Sequence, residues 1–133
     1  MKTKKSLGQH FLQSERALSV IVESGNLKAG DNVLEIGPGT GTLTKKLLET
    51  GAKIIAVEKD DGLFELLKQK YEIEVKNGKL ELIHDDILDF DLSKLKAVSY
   101  KLIANIPYNI TGAILKKCLS DQFQPKLMVL LIQ

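Results

Sequence analysis

Val33-Leu34-Glu35-Ile36-Gly37-Pro38-Gly39-Thr40-Gly41 opens as a short apolar run of strand type and then breaks into three glycines at alternate positions. Thr42-Leu43-Thr44-Lys45-Lys46-Leu47-Leu48 follows with helical spacing. In α/β folds a buried strand, a glycine turn and a helix start together make a site of nucleotide size. Glycine suits the turn because it takes positive φ cheaply and lets a ligand reach the backbone. The helix start adds N–H groups that lack partners within the helix. A strand-to-helix turn can also hold glycines for geometry alone, so the stretch sets the fold before it sets a function.

Working outward, the same alternation recurs along the chain. Ser14 can cap a helix through about Ser24, with Ala17, Leu18, Ile21 and Val22 on one face and Gly25 at its end. Ala29-Gly30-Asp31 turns into the first strand, Asn32–Ile36, and the helix after the glycine turn runs to about Glu49 with Leu43, Leu47 and Leu48 inward. Lys53–Glu58 is a second strand. Asp60 or Asp61 can cap a helix that carries Leu63, Leu66 and Leu67. Tyr71–Lys76 alternates weakly and is ambiguous; Asn77-Gly78 is a turn signal. Leu80–His84 is a third strand and Lys101–Ala104 a fourth. Asn109 or Thr111 can cap a helix with Ile114, Leu115, Cys118 and Leu119 inward, and Leu127–Gln133 reads as a buried fifth strand. Strands alternating with helices predict a parallel sheet with crossover helices. A doubly wound fold rarely stops on its fifth strand, so the chain is expected to be an incomplete domain.

Bulk properties exclude several classes. The 133 residues suffice for one domain with a core, and 44% apolar with 27% charged residues is an ordinary soluble balance. A net charge of +2 does not argue for nucleic acid by itself. The single cysteine, Cys118, excludes an internal disulfide framework and reads as a buried apolar side chain. No apolar run approaches the roughly 20 residues of a membrane span. Met1–Lys5 is basic, either a tail or an arm that touches phosphate, and no signal-peptide core follows; the expected location is the cytoplasm.

The polar residues gather at strand ends. Glu58 closes the second strand about 20 residues after the glycine turn, where a βαβ unit places a carboxylate that can accept from a ribose diol; a surface carboxylate is the alternative. Asp86, with Asp85 beside it, follows the third strand and can bind the exocyclic amine of an adenine or cap a turn. His84 reads as an ordinary strand residue, since no metal-spaced partner exists, and no metal is expected. Asn105-Ile106-Pro107-Tyr108 follows the fourth strand, and Pro107 predicts a rigid extended loop there. The turn spacing is G-x-G-x-G rather than G-x-G-x-x-G. Glu35 stands just before it, where it would repel a diphosphate and suit a cationic group. That combination favours S-adenosylmethionine over NAD.

With these residues placed, the chain resembles the ribosomal RNA adenine dimethyltransferases, the group of the bacterial small-subunit dimethylase KsgA and its eukaryotic counterparts. The stretches that carry the resemblance are Gly8-Gln9-His10-Phe11-Leu12, Glu35–Gly41, Val57-Glu58, Asp86 and Asn105-Ile106-Pro107-Tyr108-Asn109. The glycine motif is common to many methyltransferases; the pairing of Gly-Gln-His-Phe-Leu with Asn-Ile-Pro-Tyr is far more specific. The resemblance implies a Rossmann-like class I S-adenosylmethionine-dependent methyltransferase, a mostly parallel sheet with helices on both faces, truncated here after the fifth strand. Residues 1–133 would then be an incomplete cofactor-binding domain, without the last strands and the small helical domain that helps grip RNA. It implies that His10 and Leu12 line the cofactor pocket, that Glu35 and the turn of Gly37, Gly39 and Gly41 hold the methionine part, and that Glu58 takes the ribose and Asp86 the adenine. Asn105 would contact cofactor and target.

The chemistry at the fourth strand end can be argued separately. An adenine N6 is a poor nucleophile because its lone pair is delocalised into the ring. The Asn105 side-chain oxygen and the Pro107 carbonyl can accept its two N–H bonds and favour a tetrahedral nitrogen, and Tyr108 can stack on the flipped base. The expected function is N6-dimethylation of adenines in small-subunit ribosomal RNA during ribosome maturation, by a monomer whose partner is the small-subunit precursor and not a membrane. Because a broad basic, aromatic-rich surface is lacking, this length of chain alone is expected to hold RNA weakly, and as an incomplete domain to bind cofactor poorly or partly and not to methylate ribosomal particles. The alternatives are an erythromycin-resistance type methyltransferase of large-subunit RNA, a non-catalytic RNA-binding assembly factor, and an NAD-dependent oxidoreductase.

Overall fold

In the computed structural model the alternating pattern becomes a five-stranded sheet packed between helices. The structure describes residues 15–95 and 98–132, without the side chains of Tyr108 and Ile132. The proposed Ser14 cap, the basic arm, His10 and Leu12 therefore lie outside the described residues. In chain order the elements are α1 (Glu15–Gly25), β1 (Asn32–Ile36), α2 (Thr42–Glu49), β2 (Lys53–Glu58), α3 (Asp61–Lys70), α4 (Glu72–Lys76) and β3 (Leu80–His84). A 3₁₀ turn (Leu92–Leu95), β4 (Tyr100–Ile106), α5 (Tyr108–Ser120) and β5 (Leu127–Ile132) complete them.

The strands run in the order β3-β2-β1-β4-β5, and every pairing is parallel. The central strand β1 has Ile36 opposite Val57 on one side and Ala104 on the other. The chain therefore winds outward from β1 to β3, then returns to start again at β4. The crevice between β1 and β4 is the switch point at which open α/β sheets bind ligands.

Both faces of the sheet are covered, which is why the central strands are mostly apolar. Side chains alternate between the faces. Val33, Ile54, Ala56, Leu80 and Ile103 meet Leu18 and Ile21 of α1, Leu43 and Leu47 of α2, Leu67 of α3 and Tyr71. Leu34, Ile36, Ile55, Val57, Leu102, Ala104 and Ile106 meet Phe90, the 3₁₀ turn and Ile114 and Cys118 of α5. The buried role expected for Cys118 is the one it has, and burial pushes its thiol above the usual range.

One buried charged side chain breaks the apolar run of β4. Lys101 is buried, and its Nζ donates to the carbonyls of Gly25 and Asn26 at 2.9 and 2.8 Å and to Asp31 Oδ2 at 3.1 Å. It thereby satisfies carbonyls that the end of α1 leaves open and places a cation at the negative end of that helix.

Several expectations are corrected. Leu119, expected inward, is 57% exposed, and Leu66, one of the three leucines noted on its helix, is 44% exposed. Each stands one residue, about 100° of helix, from the side chain that does face the sheet, Leu67 or Cys118. β5 is half-buried rather than buried, because it pairs with β4 on one side only. Tyr71–Lys76 resolves into a one-turn helix led by Tyr71. β4 extends to Ile106 and α5 begins at Tyr108, so Asn105-Ile106-Pro107-Tyr108 is a direct strand-to-helix switch and not an extended loop. Neither Asn109 nor Thr111 caps α5: Pro107 occupies the cap position with extended backbone, since proline cannot donate an N–H and its φ is already set for a helix start.

Candidate functional site

The chain leaves β1 through Gly37, Gly39 and Gly41 at φ of 68, 60 and 88°, all in the left-handed region that favours glycine. Each of their N–H groups has an internal partner. Gly37 donates to the Val57 carbonyl at 3.1 Å, Gly39 to Glu58 Oε1 at 3.1 Å and Gly41 to the Pro38 carbonyl at 3.0 Å. Space also explains the glycines. A Cβ on Gly37 would sit 2.9 Å from the Asn105 carbonyl, and one on Gly41 would sit 2.7 and 2.8 Å from the Tyr71 ring and Leu67. Gly39 alone faces open space, with nothing within 4 Å of a Cβ built there.

Two carboxylates flank this turn on the face covered by α2. Glu58 is buried at the end of β2, its Oε1 on the Gly39 N–H and its Oε2 accepting from the Asp60 N–H at 2.9 Å. Two backbone bonds fix its orientation and leave further lone pairs for a ligand. Glu35 is 1% exposed and lies beneath the turn. Its Oε1 accepts from the Thr44 hydroxyl at 2.7 Å. Burial raises its pKa to about 7; the Thr44 bond works against that shift, and the charge of Glu58 adds to it. Glu35 thus bears on the site from below.

At the next strand end, Asp86 Oδ1 accepts from the Leu88 N–H at 2.9 Å and its Oδ2 stands 4.0 Å from Lys59 Nζ. The turn-capping role weighed for Asp86 is therefore present, on one carboxylate oxygen. Asp85 is tied back through its N–H to the Glu58 carbonyl at 3.1 Å. His84 stacks on Phe64 with centroids 4.7 Å apart and pairs with Asp61 at 2.8 Å. Among the described residues no group of three His, Cys, Asp or Glu could hold a metal ion. Across the switch point, Asn105 is half-buried at the end of β4 with its backbone against Gly37. Pro107 is exposed, and its carbonyl accepts from the Ile110 N–H at 3.2 Å and the Thr111 hydroxyl at 3.3 Å. Gly37–Gly41, Glu58, Asp86 and Asn105–Pro107 thus share the carboxyl edge of the sheet.

The sequence reading missed Thr44, Lys70 and Tyr71. Thr44 could have been noticed, since it lies on the first turn of a helix that must pack over Glu35. Lys70 and Tyr71 carry no local signal. Lys70 Nζ donates to the Thr40 carbonyl at 3.0 Å and the Tyr71 hydroxyl to the Gly41 carbonyl at 2.6 Å, across 30 residues of chain.

Comparison with known proteins bears on this arrangement. The family model for "Ribosomal RNA adenine dimethylase" matches residues 1–133. A relative named ribosomal RNA small subunit methyltransferase A from Dehalococcoides mccartyi is 42% identical over 135 residues, covering 100% of this chain and 45% of its own. One of the same name from Thermosynechococcus vestitus is 43% identical over 126 residues, covering 95% of this chain and 45% of its own. The chain thus spans about half the length of the curated relatives it matches. Among solved structures, a dimethyladenosine transferase from Plasmodium falciparum superposes with a TM-score of 0.76 at 32% identity, over 91% of this chain and 42% of that one. The 23S rRNA methyltransferase ErmE gives 0.75 at 28%, over 90% and 47%. A coclaurine N-methyltransferase, 20% identical over 68% of this chain and 26% of that one with a TM-score of 0.55, shares the fold. The parallel sheet, the glycine turn and a family match over every residue agree: the chain belongs to the ribosomal RNA adenine dimethylase family.

Proposed function

We propose that residues 1–133 form the S-adenosylmethionine-binding part of an enzyme that dimethylates N6 of adenines in small-subunit ribosomal RNA. The observation that carries the cofactor reading is the state of the glycine turn. Its three glycine N–H groups are already bonded within the chain, so it offers no nest for a pyrophosphate, and two carboxylates flank it. Such a turn fits a cationic, phosphate-free cofactor and disfavours NAD. The small-subunit reading is supported by the names of the relatives that match the whole chain.

The residues would divide the work as follows. Gly39, open on its Cα side, lets the amino-acid end of the cofactor approach the backbone. Glu58 accepts from the ribose hydroxyls with the lone pairs that Gly39 and Asp60 leave it, and Asp86 accepts from the adenine amine with Oδ2. Glu35, with a pKa of about 7, adds partial negative charge below the turn near neutral pH and full charge above it; His10 and Leu12 would close the pocket. When bound, the cofactor supplies a methyl group on a sulfonium leaving group.

At the target side Asn105 and the Pro107 carbonyl accept the two N–H bonds of the adenine amine and hold its lone pair toward the methyl. Thr111 must yield, or share, the Pro107 carbonyl for this to happen. Tyr108, the first residue of α5, is the proposed stacking partner of the flipped base.

Transfer of labelled methyl from S-adenosylmethionine to purified small and large ribosomal subunits, by the intact protein and by Asn105→Ala, tests the proposal. Label in adenine of the small subunit, lost in Asn105→Ala, is expected. Label in the large subunit would favour the activity named for the ErmE neighbour, and an unchanged Asn105→Ala would favour a non-catalytic role.

A further inference from the structure

The end of α3, a helix packed on β2 and β3, reaches the glycine turn. Lys70, its last residue, and Tyr71, which joins α3 to α4, are consecutive, and they hold two consecutive carbonyls of the turn, Thr40 at 3.0 Å and Gly41 at 2.6 Å. The Gly41 carbonyl also accepts the first backbone bond of α2, from the Lys45 N–H at 3.1 Å. The Tyr71 ring is buried against Gly41, so close that no side chain fits between them. Burial raises the Tyr71 phenol to about 12, which keeps the hydroxyl a donor at any neutral pH. A run of three glycines in the left-handed region has several conformations open to it. Its N–H groups are tied by Val57, Glu58 and Pro38; among the described residues, Lys70 and Tyr71 are the side chains that reach the Thr40 and Gly41 carbonyls.

We infer that Lys70 and Tyr71 are positioning residues, a clamp on the Thr40 and Gly41 carbonyls that holds the glycine turn in its ligand-ready conformation and so sets cofactor affinity. The inference rests on the reading of this turn as the S-adenosylmethionine site. Neither side chain touches the ligand in this scheme. Each lowers the ordering cost of binding by fixing backbone that would otherwise settle only on contact.

The test uses Tyr71→Phe, which keeps the ring, and Lys70→Met and Lys70→Arg, all in the intact protein. Cofactor Kd is read by calorimetry, KM against kcat in the methyl-transfer assay, and the exchange rate of the Lys45 amide by NMR. Tyr71→Phe is expected to weaken S-adenosylmethionine about five- to tenfold, as loss of one buried hydrogen bond implies. The loss should fall on KM for cofactor rather than on kcat, with faster Lys45 exchange. Lys70→Met should weaken binding about twofold, and Lys70→Arg, which can still donate, should restore it. Tyr71→Phe with a lowered melting temperature but unchanged cofactor Kd would overturn the inference, since that is what a purely structural tyrosine does. If the unaltered protein binds no S-adenosylmethionine, the cofactor reading fails and the exchange data decide: unchanged Lys45 exchange in Tyr71→Phe overturns the clamp, faster exchange upholds it.

Discussion

Two strand-to-helix junctions stand side by side on neighbouring strands, and they are built differently. The junction after β1 is held from outside itself: β2 bonds the Gly37 and Gly39 N–H groups, and the end of α3 bonds the Thr40 and Gly41 carbonyls. The junction after β4 is shaped in large part by its proline. Pro107 sets the backbone, is exposed, and bonds through its carbonyl to its own helix at Ile110 and Thr111. A small cofactor is best met by a preformed, tertiary-locked turn, because every degree of freedom removed beforehand is affinity kept. A base arriving on a macromolecule needs an accessible rim. The contrast suggests which partner each junction serves, and it can be broken by substitution.

The largest effect is expected at the locked junction. Gly41→Ala forces a left-handed residue and drives a Cβ to 2.7 Å from the Tyr71 ring. It should cost about 2–5 kcal/mol in urea unfolding and abolish S-adenosylmethionine binding. Gly39→Ala sharpens the point: with open space at its Cβ it should cost only about 1–2 kcal/mol, from φ strain, yet still impair the cofactor. Equal stability losses at the two glycines would contradict the tertiary-lock account.

The β4 junction should answer in rate instead. Asn105→Ala is expected to lower kcat about 100-fold or more, far more than any accompanying loss of unfolding free energy would account for. A melting transition that collapses alongside activity would make Asn105 structural.

Next in size is the pH response of the β1 junction. Glu35 ionises at about 7 in the folded chain against an ordinary 4.5. Between those values the folded state keeps a proton that the unfolded state has released. Stability is therefore full below pH 4.5 and lost as pH rises through 7, by about 3 kcal/mol at about 1.4 kcal/mol per unit. Glu35→Gln keeps an acceptor for Thr44 without the charge, and should flatten the change in urea midpoint between pH 5 and pH 8. A slope that persists in Glu35→Gln would assign it elsewhere.

The smallest effect is expected at Thr111→Val, which removes one of the two donors on the Pro107 carbonyl. kcat should change by less than about threefold, the α5 N–H bond being retained. A tenfold change would show that the carbonyl needs Thr111 for its aim.

Which parts were legible follows from what a sequence can encode locally. Val33–Ile36, Lys53–Val57 and Leu80–Ile83 announce strands because a sheet covered on both faces demands near-continuous apolar runs. The glycines announce the turn because no other residue takes its φ values cheaply. Glu58 and Asp86 stood out because a strand end fixes where they lie on the sheet edge. Helical pitch gave the inward stripe but blurred its margin, so Leu119 was placed on the wrong side. The lock itself was invisible. Tyr71 and Lys70 meet the turn across 30 residues, and periodicity names a face without naming the partner. The burial of Lys101 was likewise hidden inside what read as an ordinary strand.

That lysine has a consequence for the order of folding. Its three bonds join residues 70 to 76 positions apart. They can close only after β4 has found β1, with the whole β1–β3 half already spanned. Contacts of such long loop closure reward the chain late and are expected to be weak in the folding transition state. Lys101→Met should thus leave the refolding rate nearly unchanged and quicken unfolding. The buried ammonium at the foot of β4 would act as a latch on the lifetime of the native state, not as a guide toward it.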